Sequence, residues 1–195
     1  MEYSPEQINH LIQNRRSIFP SMYSDEKVDD VIIKQMLENA NWAPTHKLTE
    51  PWRFVVFSGR GLEKLADFQS KFYKQRALNK GDFSEDKYEK LRVKPLLASH
   101  IIAIGLHRDE KERVPEWEEM ASVACAVQNM CLTAAANKIG CYWTTGGVTG
   151  KHEVNSFFSL GPRDILMGFL YIGIPKGNWP QGKRQPAEEK VRWIT

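Results

Sequence analysis

The stretch NWAPTHKLTEPWRF, residues 41–54, decides how this chain is read. It joins a helical pattern to a run of strand formers, yet it carries two Pro, two Trp, a His and a Lys. A helix-to-strand connection needs only a few residues and ordinary turn chemistry. A loop that holds aromatic surface, a titratable imidazole and a cation between rigid elements has the makings of a binding site.

The pattern extends in both directions from that loop. Upstream, residues 27–40 put Val28, Val31, Ile32, Met36, Leu37 and Ala40 on one side of a helix. Residues 4–15 form a first helix, capped by Ser4, with Pro5 at its first position and Ile8, Leu11 and Ile12 on one face. Downstream, WRFVVFSG (52–59) reads as a buried strand stopped by Gly59 and Gly61. A helix over about 61–75 leads into 76–94, the most charged segment, which reads as a solvated helix or as a mobile cover over a site. Strands follow at 100–109, at the start of 140–147, which then turns into a glycine loop, and at 164–175. Between the first two of these lies the longest helix, 116–139, whose middle is small and apolar nearly all round. Such a helix is buried on more than one side, and a second protomer packed against it fits. The tail is polar but ends in Val191, Trp193 and Ile194, an apolar end that needs a dock. The order predicts one mixed α/β domain over residues 1–195, a central mixed sheet flanked by helices.

Composition bounds the function. With 195 residues, 42% hydrophobic and 26% charged, the chain is an ordinary globular one. A net charge of +3, with both signs mixed along the chain, argues against a nucleic-acid partner and for a small anion held at one place. The three cysteines, Cys125, Cys131 and Cys141, contain no C-x-x-C pair, which points away from disulfides and zinc and towards a reducing cytoplasm. No apolar leader and no run of about 20 apolar residues is present, so neither a secretory signal nor a membrane span is expected. Signatures for a Rossmann dinucleotide site, a P-loop, a metal-binding H-E-x-x-H and a G-x-S-x-G elbow are all missing.

Three further patches carry chemistry besides the loop. In NRRS (14–17), Arg15 and Arg16 offer planar forks that match phosphate oxygens, with Ser17 as a further donor; placement at a helix C-terminus explains the same cations. In WTTGG (143–147), hydroxyls and glycines after a strand can bring backbone N–H groups close to a planar polar ligand, or form a plain turn. GKR (182–184) is a second phosphate clamp or a solvated tail.

In this order, the patches resemble the flavin-dependent nitroreductase family, in its minimal-length NAD(P)H branch. The matches are Arg15-Arg16-Ser17, Ala43-Pro44-Thr45 with Pro51-Trp52-Arg53-Phe54, Trp143 to Gly147, and Lys183-Arg184. The commoner pattern has Asn and Gln where this chain has Leu48 and Glu50. The resemblance implies a nitroreductase-like fold and an intertwined homodimer with an exchanged C-terminal tail. It implies FMN as cofactor, with NAD(P)H and a small-molecule acceptor such as a nitroaromatic or quinone meeting one flavin face in turn. Arg15, Arg16, Ser17, Lys183 and Arg184 would hold the FMN phosphate. Trp143, Thr144, Thr145 and Gly146 would contact the ring or ribityl chain, and Trp42 and His46 would meet the flavin at the dimer interface, His46 from the partner subunit. No side chain is assigned as catalytic and no metal is expected. The alternative reading is a flavin-binding dimer without turnover.

Overall fold

The computed structural model describes residues 4–195; the expected domain also takes in 1–3, which lie outside the described residues. Helix α1 (Pro5–Asn14) starts as its sequence requires, with the Ser4 side chain accepting from Gln7 N–H and Pro5 in the first turn. Helix α2 (Asp30–Asn41) starts three residues later than the pattern suggested. Asp29 caps it through Val31 N–H, while the Val28 N–H is taken by the Ser99 hydroxyl at 2.8 Å, outside the helix. Strand β1 (Trp52–Ser58) leads into helix α3 (Arg60–Lys80), which runs five residues beyond the expected end before Gly81, at φ +73°, stops it. The remaining charged residues form helix α4 (Glu85–Val93), capped by Ser84.

Strand β2 (His100–Leu106), helix α5 (Glu116–Ala136), strand β3 (Gly140–Thr144) and strand β4 (Ile165–Gly173) complete the domain. The sheet order is β1-β2-β4-β3, and every neighbouring pair of strands is antiparallel. Among the described residues the parallel pairing is a single bridge, Ser17 to Cys141, at the β3 edge.

Alternation along β2 divides the core in two. Ile102, Ile104 and Leu106 face Met36 of α2 and Val123, Val127 and Met130 of α5. Ile101 and Ala103 face the other way, against Leu62 and Leu65 of α3 and against Phe158. The face of α5 turned away from this core, including Trp117, Met120, Ala121 and Cys125, is exposed. Among the described residues no helix is long and apolar enough to cross a membrane, and no His, Cys, Asp and Glu group could hold a metal ion. The cysteines are free thiols.

Candidate functional site

The end of α1 builds the first part of the site. Arg15 leaves the helix with an extended backbone (φ −60°, ψ 130°), and Ser17 then bridges to Cys141, where Ile18 N–H donates to the Cys141 carbonyl at 2.9 Å. The N-terminal arginines therefore lie beside the start of β3. Arg16 folds back so that its guanidinium donates to the carbonyls of Gln13 (2.6 Å) and Arg15 (2.8 Å). Gly182 lies directly against that guanidinium, and a Cβ at 182 would overlap it. This contact brings Lys183 and Arg184 to the same corner. Arg15 also lines a cavity of about 490 Å³ with His10, Ala135, Lys138 and Trp179. Trp179 ties the tail to α1 by donating its indole N–H to the Asn14 carbonyl at 2.7 Å. Among the described residues, none of Arg15, Arg16, Lys183 or Arg184 pairs with a carboxylate.

β3 carries the site away from this corner. From Cys141 to Thr145 is four residues, roughly 13 Å of strand. Trp143 lies against Gly168 of β4, whose φ of +141° and missing side chain make room for the indole: a Cβ there would sit 2.6 Å from Trp143 Nε1. Thr145 and Gly146 are exposed at the strand's end, and the Thr149 hydroxyl donates to the Gly146 carbonyl, shaping the turn.

Buried polar atoms without a partner mark places where the fold expects something more. Four such side-chain atoms exist among the described residues, and two of them, Arg16 Nε and Trp143 Nε1, belong to this strip. An elongated ligand with an anionic end and a planar polar end fits the donors on offer.

The loop 42–51 is held elsewhere. Trp52 is buried and anchors it by donating to Asn41 Oδ1 at 3.1 Å. The Thr45 hydroxyl accepts from Glu50 N–H. Between them Lys47, Leu48 and Glu50 all adopt positive φ, at +53°, +53° and +43°. Non-glycine residues rarely do so, and the surroundings must hold them there. Two contacts, one with α5 and one with the segment just before it, supply the hold: His46 Nδ1 lies 2.5 Å from Glu118 Oε2, and Lys47 Nζ donates to the Arg113 carbonyl at 2.8 Å. His46 lines a cleft of about 480 Å³ with Trp117, Ala121 and Cys125 on the exposed face of α5. Trp42 is 78% exposed, donates to Glu38, and lines a different cleft with Asn129 and Thr133. Fifteen residues of helix, roughly 22 Å, separate Glu118 from Thr133. Within one protomer, then, the arginines, the tail cations and β3 converge, whereas Trp42 and His46 line two separate clefts along α5. Sequence reading missed Glu118, Gly168 and the Gly182 contact; their partners are far away in the chain and leave no local signal.

The fold and this strip define an α/β protein with a corner of cations unpaired among the described residues, beside an open-ended strand. Comparison with known proteins makes the class specific. The model of the Nitroreductase family matches residues 12–174, and the chain belongs to that family. It is 34% identical over 167 residues to "Putative NAD(P)H nitroreductase YdjA" of Escherichia coli K12, covering 85% of this chain and 87% of that one. A nitroreductase-like family protein from Bacillus cereus superposes with a TM-score of 0.81 at 27% identity, over 100% of this chain and 98% of the other. A protein from Desulfovibrio desulfuricans solved in complex with FMN superposes at 0.70 and 24% identity, over 100% and 99%; at that identity the likeness shows the fold.

Proposed function

We propose that the chain is an FMN-dependent oxidoreductase that takes reducing equivalents from NAD(P)H and passes them to a nitroaromatic, a quinone or a similar small acceptor. The observation that carries this reading is the cation corner. Arg15, Arg16 and the Gly182–Arg184 segment meet there with no carboxylate partner among the described residues, in a chain of the nitroreductase family. FMN, when bound, supplies hydride acceptance from NAD(P)H and electron delivery to the acceptor. Arg15, Arg16, Ser17, Lys183 and Arg184 would hold its phosphate through charge-assisted hydrogen bonds. Trp143, Thr144, Thr145 and Gly146 would line the opposite end and offer donors to a planar ring.

The functional unit in this reading is a homodimer. The exposed face of α5 bears Trp117, Ala121 and Cys125, and the tail leaves Val191, Trp193 and Ile194 exposed at 53%, 86% and 86%. A second protomer on α5, with tails exchanged, would cover both. It would also bring Trp42 and His46 of the partner subunit to the ring end, which one protomer does not do. His46 then acts on flavin affinity or potential, since hydride transfer to a flavin requires no protein base.

The test is direct. Purified protein is expected to be yellow, to release FMN on denaturation, to sediment as a dimer, and to lose its flavin absorbance on anaerobic addition of NADH or NADPH. A dimer that binds FMN but is not reduced by either nucleotide would replace this reading with a flavin-binding protein without turnover. A colourless protein that cannot be reconstituted with FMN would overturn both.

A further inference from the structure

The charged segment 76–94 is neither a fully solvated helix nor a free cover. Gly81 and Ser84 turn the chain so that α4 returns along α3, and Lys74 and Lys87 lie over the rings of Tyr88 and Tyr73 at 5.4 and 4.8 Å. Beneath the turn lies a cavity of about 260 Å³. Gln69 lines it, 94% buried with 6% exposure, and its side-chain amide makes no hydrogen bond among the described residues. Phe72 and Tyr73 also line it, and its cations are Arg76, Lys80, Lys87 and Lys151 against one carboxylate, Asp82. Arg76 pairs with Glu153. The three lysines have no carboxylate partner among the described residues. Gly147 and Val148 complete the lining, and they directly follow Thr144–Gly146.

We propose that this cavity is the acceptor subsite and that it takes a small aromatic acceptor bearing a carboxylate or another anionic group. The assignment rests on the reading above, in which Thr144–Gly146 flank the flavin ring. Size selects the ligand: pockets that bury drug-sized molecules run from roughly 300 Å³ upwards, so this one suits a single substituted ring and not a dinucleotide. Phe72 and Tyr73 give the cavity aromatic surface for such a ring. The Gln69 amide, which lines the cavity without a hydrogen-bond partner among the described residues, matches a nitro or carboxylate oxygen on one side and a hydroxyl on the other. The unpaired lysines raise the local concentration of anions. With a nitro acceptor the balance is one NADH and one proton per Ar–NO2, giving Ar–NO, water and NAD⁺.

The test uses the flavin-loaded protein, with 4-nitrobenzoate and 4-nitrobenzyl alcohol as paired acceptors and benzoate as a non-reducible probe. The parent is expected to favour 4-nitrobenzoate over the alcohol by kcat/KM. An exposed lysine contact is worth roughly two- to fivefold. The double variant Lys87→Ala/Lys151→Ala is therefore expected to lower kcat/KM for 4-nitrobenzoate about tenfold, and that for the alcohol less than twofold. Benzoate binding, followed calorimetrically, is expected to weaken in parallel. The preference is expected to shrink as ionic strength rises from about 0.05 to about 0.5 M. Gln69→Leu, close in volume, is expected to weaken both acceptors alike while leaving that salt dependence in place. A parent without preference, or a double variant that keeps it, overturns the proposal. So does a double variant in which flavin reduction by NADH slows as much as 4-nitrobenzoate turnover, since the lysines would then serve the nucleotide phosphates. If neither NADH nor NADPH reduces the parent's flavin, the oxidoreductase reading fails, and benzoate titration of parent and double variant still decides whether the cavity holds an anionic ring.

Discussion

Two clusters of arginines face opposite fates in this molecule. Beside the start of α5, Arg108, 13% exposed, pairs with Glu119, which is 1% exposed, while its Nε lies 3.6 Å from Glu116. Arg113 forks onto Asp109 at 2.8 and 2.9 Å, and that contact holds the Asp109 carboxyl well below the usual range. Neighbouring Asp164 accepts from His107, Arg108 N–H and Gly161 N–H. At the end of α1, Arg15 and Arg16 have no such partners among the described residues, and Arg16 satisfies part of its guanidinium on carbonyls. A buried cation with a matched anion belongs to the fold; a cation cluster left without one is available to a ligand. The two should therefore fail differently, one in stability and the other in binding.

The largest effect is expected at the paired end. Arg108→Ala leaves the Glu119 carboxylate buried without its partner, and breaking a buried pair in this way costs about 3–5 kcal/mol. Urea unfolding of the variant should show a lowered midpoint with and without flavin. Next is the unpaired end: Arg16→Ala should cost about 1.5–3 kcal/mol of FMN binding, roughly 10- to 150-fold in affinity. Flavin titration checks the loss, and the urea midpoint of the flavin-free protein should stay near the parent's. A variant at either end that shows the other's pattern breaks the distinction.

A smaller effect concerns pH. Burial pushes the Asp164 carboxyl up, but hydrogen bonds from Gly161 N–H, the His107 ring and Arg108 N–H outweigh it, so the native group titrates below its ordinary value. Its contribution to stability is complete above the unfolded value near 3.9 and disappears as pH falls through the lower native one. Asp164→Asn should cost about 1–2 kcal/mol at neutral pH and flatten the loss of stability below about pH 4, as read by denaturation at a series of pH values. The smallest effect is expected where the strained loop is clipped to the paired end. Leu48 is 79% exposed at φ +53°, a conformation that Asn tolerates better. Leu48→Asn, which restores the residue common in the family pattern, should raise stability by about 0.5–1 kcal/mol in thermal unfolding.

Local chemistry was enough for much of this structure. Ser4–Pro5 announced α1, and runs of strand formers announced β1 and β2. The small, apolar character of 116–139 announced the helix but also burial on more than one side, whereas within one protomer Trp117, Met120, Ala121 and Cys125 stay exposed. The ordered set of Arg15-Arg16-Ser17, the 43–54 pattern and Trp143–Gly147 was enough to reach the family, because a family pattern is itself written in sequence order. What tertiary structure alone decided lies in contacts across long separations. Val28 N–H meets Ser99 and so moves the start of α2. Gly182 meets Arg16 and turns two separate basic patches into one corner. His46 meets Glu118, 72 residues away, and with Lys47 holds a backbone that its own residues disfavour. Gln69, one polar residue on a helix in the sequence, becomes the buried lining of a cavity only when α4 folds back over α3. Propensity and periodicity act over a few residues, whereas a cation's partner, or its lack of one, depends on which distant segments the packed core brings to its side.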